Sequence, residues 1–315
     1  MYRKAIIFGI KGIKLTPQEI NLLKDAKPWG IILFSRNIKS LSQLKNLITD
    51  IRNIIKDKNY PILIDQEGGN VSRLNKIIDF TIFSQDFFGN MYKKNKKISY
   101  KKYNIYINAV CDILNFVGIN INTVPVLDIR RKKSHRIIGT RSFSENPNIV
   151  AKLGNICVDS YSKNKIACVI KHIPGHGLSR FDTHYRRSIV SLEKSKLIKK
   201  DFKPFKLSKA NFAMTAHIIY SKYDDKNTAT HSKIVIKDVI RKEINFNGIL
   251  ISDDISMKSL KYKIQINALR AINAGCNLVL HCNGKMKEMI KLAKVIPKID
   301  NFTQKKTSDF YKFLR

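Results

Sequence analysis

The stretch GILISDDISMKSLKYKIQINALRAINAGCNLVLH, residues 248–281, contains two apolar runs separated by a longer amphipathic segment. The runs Gly248–Ser252 and Asn277–His281 have the length of buried β-strands, whereas Ile264–Gly275 has the apolar spacing of a helix. Gly275 stands where this helix should stop, because glycine readily adopts the left-handed conformation common at helix C-termini. The stretch therefore predicts a strand, a helix and a second strand parallel to the first.

The same alternation continues towards the N-terminus. Six further apolar runs of strand length lie at Ala5–Ile10, Gly30–Phe34, Pro61–Ile64, Ile121–Ile129, Ala167–Ile170 and Phe212–Ile219. Helical patterns follow at Thr16–Lys27, Leu41–Lys56, Lys101–Phe116, Val150–Ser162, Leu192–Lys209, Ser232–Ile244 and, at the end of the pattern, Lys285–Val295. Eight strands, each followed by a helix, predict an α/β fold that closes into one (β/α)₈ TIM barrel. We therefore expect residues 1–315 to form a single domain, with a short or irregular connection at Phe80–Ser99.

Composition indicates an ordinary barrel with an unusual charge. The chain has 59 lysine and arginine residues against 24 aspartate and glutamate residues, which gives a formal net charge of +35. The lysines are spread over nearly every predicted helix and loop, whereas nucleic-acid-binding proteins concentrate basic residues in one patch or tail. Lys, Ile, Asn and Tyr all have AT-rich codons, so a biased genome would produce this charge. We expect no specific nucleic-acid partner.

The sequence also predicts a cytoplasmic location. It has no apolar run of about 18 residues, so we expect no membrane span. The N-terminal run Ala5–Ile10 is too short for a signal peptide and is interrupted by Lys11. The five cysteines are scattered and form no CxxC pair, which is typical of a reducing compartment. No feature indicates an oligomeric state.

Polar side chains collect where the predicted strands end. They are Asp65 and Glu67 after the third strand, Asp128 after the fourth, Lys171 and His172 at the fifth, His217 at the sixth, and Asp253 and Asp254 at the seventh. The C-terminal ends of barrel strands share one face, which carries the active site in barrel enzymes. Individually, Asp254 could cap a helix, His217 could be a satisfied core histidine and Asp128 could be a structural ion-pair partner. As a set, these residues predict an active site on that face.

The motifs around these residues occur in one order. They are DQEGG (65–69) with Arg73 eight residues after Asp65, PVLD (125–128), IGTRSF (138–143), KHIPGHG (171–177) followed by DTH (182–184), MTAH (214–217) and ISDDISM (251–257). From about Ile6 to Asn283 the chain resembles the bacterial β-N-acetylhexosaminidases of glycoside hydrolase family 3 that act in peptidoglycan recycling. KHIPGHG with DTH at its fixed spacing is the most specific of these motifs.

The resemblance implies a retaining glycosidase, which needs a nucleophile and an acid/base. It assigns the nucleophile to Asp253, and the acid/base to His184 paired with Asp182. A histidine titrates near neutral pH, and an adjacent carboxylate orients it and stabilises its charged form. From the residues alone, Glu67 is an equally reasonable acid/base, because it is the one glutamate close to a predicted strand end. We expect the loop Leu178–Ser188 to be exposed.

The resemblance further implies the substrate and the residues that bind it. The substrate is a terminal β-linked N-acetylglucosamine. In the family's natural substrate this sugar is joined to 1,6-anhydro-N-acetylmuramic acid, with or without a peptide. The binding residues are Asp65, Arg73, Arg141, Lys171 and His172. No metal or organic cofactor is implied, and the partner is a small muropeptide-derived amino sugar.

Two other functions remain open at this point. A metal-dependent barrel hydrolase could use His172, His176, His184, His217 and Asp253 as ligands. It would lack the dense ligand motif typical of zinc sites. A basic binding protein on a catalytically decayed barrel is the second alternative, although every inferred catalytic position holds the chemically required residue.

Overall fold

A computed structural model describes residues 3–131, 138–179, 181–183 and 185–315. Strands in this part of the chain are β1 (Lys4–Gly9), β2 (Pro28–Leu33), β3 (Ile62–Ile64), β4 (Ile121–Asn122), β5 (Ala167–Ile173), β6 (Ser188–Val190), β7 (Phe212–Thr215), β8 (Ile218–Tyr220), β9 (Ile249–Asp254) and β10 (Leu278–His281). Eight of these strands close into a barrel in the order β1–β2–β3–β4–β5–β7–β9–β10, and neighbours are parallel. The predicted (β/α)₈ TIM barrel is confirmed.

Helices cover the outside of the barrel. They are α1 (Pro17–Ala26), α2 (Leu41–Ile55), α3 (Gln85–Lys94), α4 (Lys96–Val117), α5 (Pro147–Lys163), α6 (Lys194–Lys199), α7 (Lys203–Lys206), α8 (Ile264–Ala274), α9 (Met286–Val295) and α10 (Asn301–Phe313), with a π-helix at Val235–Glu243. The first helix begins with a capping box in which Thr16 and Glu19 satisfy each other's backbone N–H groups. Across the described ranges, no helix is both long and apolar enough to cross a bilayer.

Two predicted strands are shorter than expected. In Ile121–Ile129, β4 covers only Ile121–Asn122, and Val126 pairs again with Lys171 as an isolated bridge. Pro125, between them, has no N–H to donate to a ladder. The predicted strand Phe212–Ile219 divides between β7 in the barrel and β8, which pairs with β6 in a separate two-stranded sheet. The division falls at Ala216-His217, directly after the C-terminal end of β7.

Three helical regions also differ from the prediction. Phe80–Ser99 is not an irregular connection, since α3 occupies half of it and α4 begins within it. The N-cap of α3 is Ser84, whose hydroxyl accepts the N–H of Phe87. The predicted helix Leu192–Lys209 is divided into α6 and α7. The C-terminal helix α10 was not predicted. It closes the N-terminal end of the barrel, where Thr307 accepts the indole N–H of Trp29 at 2.9 Å.

Candidate active site

A cavity of about 360 Å³ opens at the C-terminal end of the barrel. Six of the eight predicted site residues line it: Asp65, Arg73, Arg141, Lys171, His172 and Asp253. Of the acid/base pair, Asp182 is described next to the cavity-lining Thr183, whereas His184 lies outside the described residues. A second cavity of about 330 Å³ lies at the opposite end of the barrel, between α5 and α10, away from the strand-end motifs.

Asp65 is held at the end of β3 by three donors. Its Oδ2 accepts Arg73 Nη2 at 2.6 Å, and its Oδ1 accepts Lys171 Nζ at 2.5 Å and Thr123 Oγ1 at 2.7 Å. Burial by itself would raise the pKa of this carboxyl, but the charges of Lys171 and Arg73 outweigh it and hold the pKa far below its ordinary value. Asp65 is therefore a fixed anion whose remaining lone pairs can accept hydroxyl groups.

Glu67 lies behind this pair and is almost fully buried, with its side chain 1% exposed. Arg141 donates Nε and Nη2 to its two carboxylate oxygens, both at 2.8 Å, and Lys171 Nζ lies 2.6 Å from Oε1. Burial raises the pKa of Glu67, but Arg141 and Lys171 lower it further than burial raises it. The carboxylate therefore holds no proton near neutral pH, which argues against Glu67 as the acid.

His172 is oriented by the buried Asp128. Its Nδ1 lies 2.7 Å from Asp128 Oδ2, and the backbone N–H of His176 donates to Oδ1 at 2.5 Å. Burial raises the pKa of Asp128, but the histidine contacts reverse that effect and leave the pKa lowered. The structural role considered for Asp128 is thus observed, because it fixes the imidazole that lines the cavity.

The two aspartates at the end of β9 do different things. Both line the cavity, and Asp253 Oδ1 accepts the backbone N–H of Asp254 at 2.8 Å. Asp254 accepts the N–H of Ser256 at 3.0 Å, its hydroxyl at 2.7 Å and the N–H of Cys282 at 3.3 Å. Asp254 therefore caps the turn after β9 rather than a helix, and it ties that turn to the end of β10.

His217 lies in the core next to these aspartates. It is fully buried and does not line the cavity. Its Nε2 donates to the carbonyl of Asp254 at 3.0 Å, and its Nδ1 lies 2.7 Å from the hydroxyl of Thr230. Burial lowers its pKa. This is the satisfied core histidine considered from the sequence. No group of three or more His, Cys, Asp or Glu side chains within residues 3–131, 138–179, 181–183 and 185–315 is arranged to hold a metal ion.

Three contributors to the site were not singled out from the sequence. Thr123 follows β4 and donates to Asp65, so its position at a strand end was an available signal. Phe34 follows β2 and lies under the guanidinium of Arg73, 5.4 Å from ring centroid to Cζ. The hydroxyl of Thr183 lies 2.9 Å from His176 Nε2. This last contact joins two motifs, and no local pattern predicts it.

Comparison with known proteins agrees with the barrel fold and identifies relatives of this chain. The model of the glycosyl hydrolase family 3 N-terminal domain matches residues 7–309. A β-hexosaminidase of Hydrogenovibrio crunogenus is 34% identical over 285 residues, which are 89% of this chain and 78% of that protein. A β-hexosaminidase of Haemophilus influenzae is 32% identical over 286 residues, 89% of this chain and 79% of that protein. The crystal structure of NagZ from Neisseria gonorrhoeae in complex with N-trifluoroacetyl-D-glucosamine has a TM-score of 0.89 at 27% identity, and the match covers 100% of this chain and 91% of that one.

Proposed function

This chain belongs to glycosyl hydrolase family 3 and is a glycoside hydrolase acting on β-N-acetylglucosaminides, and we propose that it is a retaining exo-β-N-acetylglucosaminidase. In this proposal residues 1–315 are one catalytic domain. Asp253 is the nucleophile, and His184 with Asp182 is the acid/base. The protein acts in the cytoplasm on peptidoglycan fragments that carry N-acetylglucosamine linked to 1,6-anhydro-N-acetylmuramic acid, with or without a peptide.

The observation that carries the proposal is how the carboxylates at the cavity are engaged. Asp65 and Glu67 are each bound to two cations, and Asp128 is bound to His172. These contacts lower the pKa of each carboxyl and so favour its ionised form, and none of the three is suited to give a proton. Asp253 is on a rigid strand end and lines the cavity, which suits a nucleophile because nucleophile placement tolerates little error. The acid/base must then come from another part of the chain. The loop at 178–187, which ends where β6 begins, reaches the cavity through Thr183.

The reaction follows in two steps. In the first, an oxygen of Asp253 attacks the anomeric carbon while protonated His184 gives its proton to the leaving oxygen. The glycosidic bond breaks, the aglycone departs as an alcohol, and the sugar is bound to Asp253 as an ester. In the second, neutral His184 takes a proton from water, whose oxygen attacks the same carbon. The ester breaks, and the sugar leaves with its β configuration retained. Asp182 orients the imidazole and stabilises its charged form.

The remaining cavity residues bind the sugar. Asp65 accepts from sugar hydroxyls, and Arg73, Arg141, Lys171 and His172 donate to hydroxyl and carbonyl oxygens. Because Lys171 and Arg141 are already held by Asp65 and Glu67, the donors are fixed before the sugar arrives, which reduces the ordering cost of binding. A fragment bearing carboxylates would also be attracted to a chain with a net charge of +35.

The test compares nitrophenyl β-N-acetylglucosaminide with nitrophenyl β-glucoside. We expect a kcat/KM at least 10²-fold higher for the first, because a site that hydrogen-bonds an acetamido group leaves polar groups unpaired without it. Asp253→Asn should abolish turnover of a folded protein. Asp79→Asn is the matched control, since Asp79 is exposed and does not line the cavity. It should behave like the wild type.

Three results would contradict the proposal. Equal kcat/KM for the two substrates would indicate a general β-glucosidase. Loss of activity with EDTA that zinc restores would favour the metal-dependent hydrolase. A folded protein without turnover of either substrate would favour the decayed binding protein.

A further inference from the structure

Thr183 differs from its neighbours in the 178–187 loop. The described residues Phe181, Tyr185 and Arg186 are exposed, whereas Thr183 is 2% exposed and lines the cavity. The expectation of an exposed loop is therefore confirmed for those three residues, and it is wrong for Thr183, Ser179 and Ser188, which are all buried. A side chain this well buried in the middle of the loop marks a point at which the loop is attached to the barrel.

The side chain of Thr183 is attached by a hydrogen bond to His176. At the end of the loop, Arg187 Nε donates to the carbonyl of Ser259 at 3.3 Å. Thr183 Oγ1 lies 2.9 Å from His176 Nε2. His176 is itself rigid, because its backbone N–H donates to Asp128 and its side chain is buried at the end of the barrel. Among the residues that the structure describes, none lies within hydrogen-bond distance of His176 Nδ1. Thr183 is thus the one described side chain that the imidazole binds.

The imidazole stays neutral through the physiological range. Burial, and then the neighbouring His172, lower the pKa of His176 to about 4. The bond to Thr183 therefore keeps the same donor and acceptor at the pH values at which an enzyme of this kind is assayed.

We propose that the His176–Thr183 hydrogen bond is a latch that holds the 178–187 loop at the cavity, and that both residues are positioning residues for the acid/base. Thr183 stands between Asp182 and His184 in the chain, and consecutive Cα atoms are about 3.8 Å apart. Fixing Thr183 against the barrel therefore limits where both neighbours can be. This inference rests on the proposed function of Asp182 and His184, but the latch itself has a test that needs no activity.

The kinetic test uses variants that remove or keep the hydrogen bond. Thr183→Val preserves shape and removes the hydroxyl, and His176→Phe preserves a ring and removes Nε2. Each should lower kcat for a sugar leaving group by about 5- to 100-fold, the range for leaving one buried partner unpaired. KM should change little, because the residues that bind the sugar remain in place. Thr183→Ser and His176→Gln, which keep a hydroxyl and a side-chain N–H, should recover most of the activity.

The test independent of activity is limited proteolysis. Trypsin cuts after Arg186 and Arg187, which belong to this loop, and cutting of a native protein reports how often the segment opens. Thr183→Val should be cleaved at these bonds several-fold faster than the wild type. The masses of the products would identify cleavage near residue 186. Thr307→Val is the matched control. It also removes a buried threonine hydroxyl, the one that accepts from Trp29 at the other end of the barrel, and it should not change nicking at Arg186.

The outcomes separate the latch from the proposed function. Faster nicking together with a selective loss of kcat supports the latch. If Thr183→Val is nicked like the wild type, the latch is wrong, whatever its activity. If nicking accelerates but kcat for the sugar leaving group is unchanged, the loop is attached as described and yet does not position the acid/base, which overturns the inference. A wild type that cleaves no N-acetylglucosaminide refutes the proposed function and leaves the proteolysis result to decide the latch alone.

Discussion

At the scale of single residues, Lys171 organises the binding end of the cavity. Its side chain is 3% exposed and its Nζ lies 2.5 Å from Asp65 and 2.6 Å from Glu67. A buried charge is tolerated only when it is paired, and removing one partner of a buried pair typically costs about 3–5 kcal/mol. The three side chains therefore depend on one another, and their roles in binding and in folding are not separable by a single deletion.

This arrangement makes a prediction about the acid/base. His184→Ala should reduce kcat/KM for a natural disaccharide by about 10²- to 10⁴-fold, the usual contribution of a general acid. The loss should be much smaller for a nitrophenyl glycoside, whose leaving group needs little protonation. Glu67→Gln should instead lower both rates by the same factor, because it disturbs the charge balance around Arg141 and Lys171 without removing a proton donor. The measurement is kcat/KM for both substrates.

The opposite pattern would reverse the assignment. If Glu67→Gln impaired only the poor leaving group and His184→Ala behaved like the wild type, Glu67 would be the acid/base. Asp182→Ala should show a weaker version of the His184→Ala effect.

At the scale of elements, the sequence predicted what is decided locally. The strands β9 and β10 were placed correctly because a buried parallel strand is continuously apolar, whereas the helix between them has apolar residues at helical spacing. Helix α3 was missed because its stability depends on distant partners. Phe88 packs on Tyr103 with ring centroids 4.4 Å apart, and this contact joins α3 to α4.

The site was also predicted only as far as its local motifs. Each strand-end residue was visible in a motif, but the contact of Thr123 with Asp65 spans 58 residues and required the fold.

Gly89 in α3 supports a prediction at this scale. A Cβ built at Gly89 would lie 1.8 Å from the carbonyl oxygen of Phe143, in the segment that follows Arg141. Alanine favours helices by about 1 kcal/mol relative to glycine, but here α3 would have to move away from that segment. We expect Gly89→Ala to destabilise the fold by about 1–3 kcal/mol, as overpacking does, and to lower activity by shifting Arg141.

Denaturant unfolding of the purified variant provides the measurement, and Gly12→Ala is its matched control. A Cβ at Gly12 would meet no atom within 4 Å, so this change should leave the free energy of unfolding within about 0.5 kcal/mol of the wild type. An unchanged or higher stability of Gly89→Ala would mean that α3 is not packed against Phe143 as described.

At the scale of the whole molecule, the high net charge and the buried charges are separate features. The cations that the cavity uses are paired with buried acids, while most lysines are exposed on helices and loops, as in α4 and α9. The excess charge is therefore compatible with an ordinary barrel interior. It bears on encounter with anionic fragments and on the response of the whole fold to acid, because each added proton increases the self-repulsion.

The response to acid can be predicted from three histidines whose pKa values are lowered by burial, His176 and His217 buried and His231 partly buried. Burial is the main cause that lowers the pKa of each, to about 4 for His176 and about 3 for His231, with a lowered pKa also for His217. For His231, the neighbouring His217, Arg270 and Arg187 lower it further, while its hydrogen bond to the carbonyl of Asn267 raises it. In the unfolded chain these imidazoles take up protons near pH 6.5. Between that pH and about 4 the unfolded state therefore binds protons that the folded state does not, so stability falls as the pH falls.

The carboxylates act in a lower window. Asp65, Glu67 and Asp128 have lowered pKa values, so their contribution is complete above their unfolded values near 4 and is lost only below that. The stability lost between pH 7 and 4.5 therefore comes from the histidines. Each contributes up to about 1.4 kcal/mol for every unit that separates its folded and unfolded pKa values.

We expect the Tm to fall steadily between pH 7 and 4.5. His231→Gln should flatten the decline, because an amide N–H can still donate to the carbonyl of Asn267, 3.0 Å from Nε2, and does not titrate. At pH 8 the imidazole is neutral in both states, so the Tm difference measured there isolates the non-titrating effect of the substitution. A wild-type Tm that stays level from pH 7 to 4.5, or a His231→Gln variant with the wild-type slope, would show that these buried imidazoles do not control the response to acid.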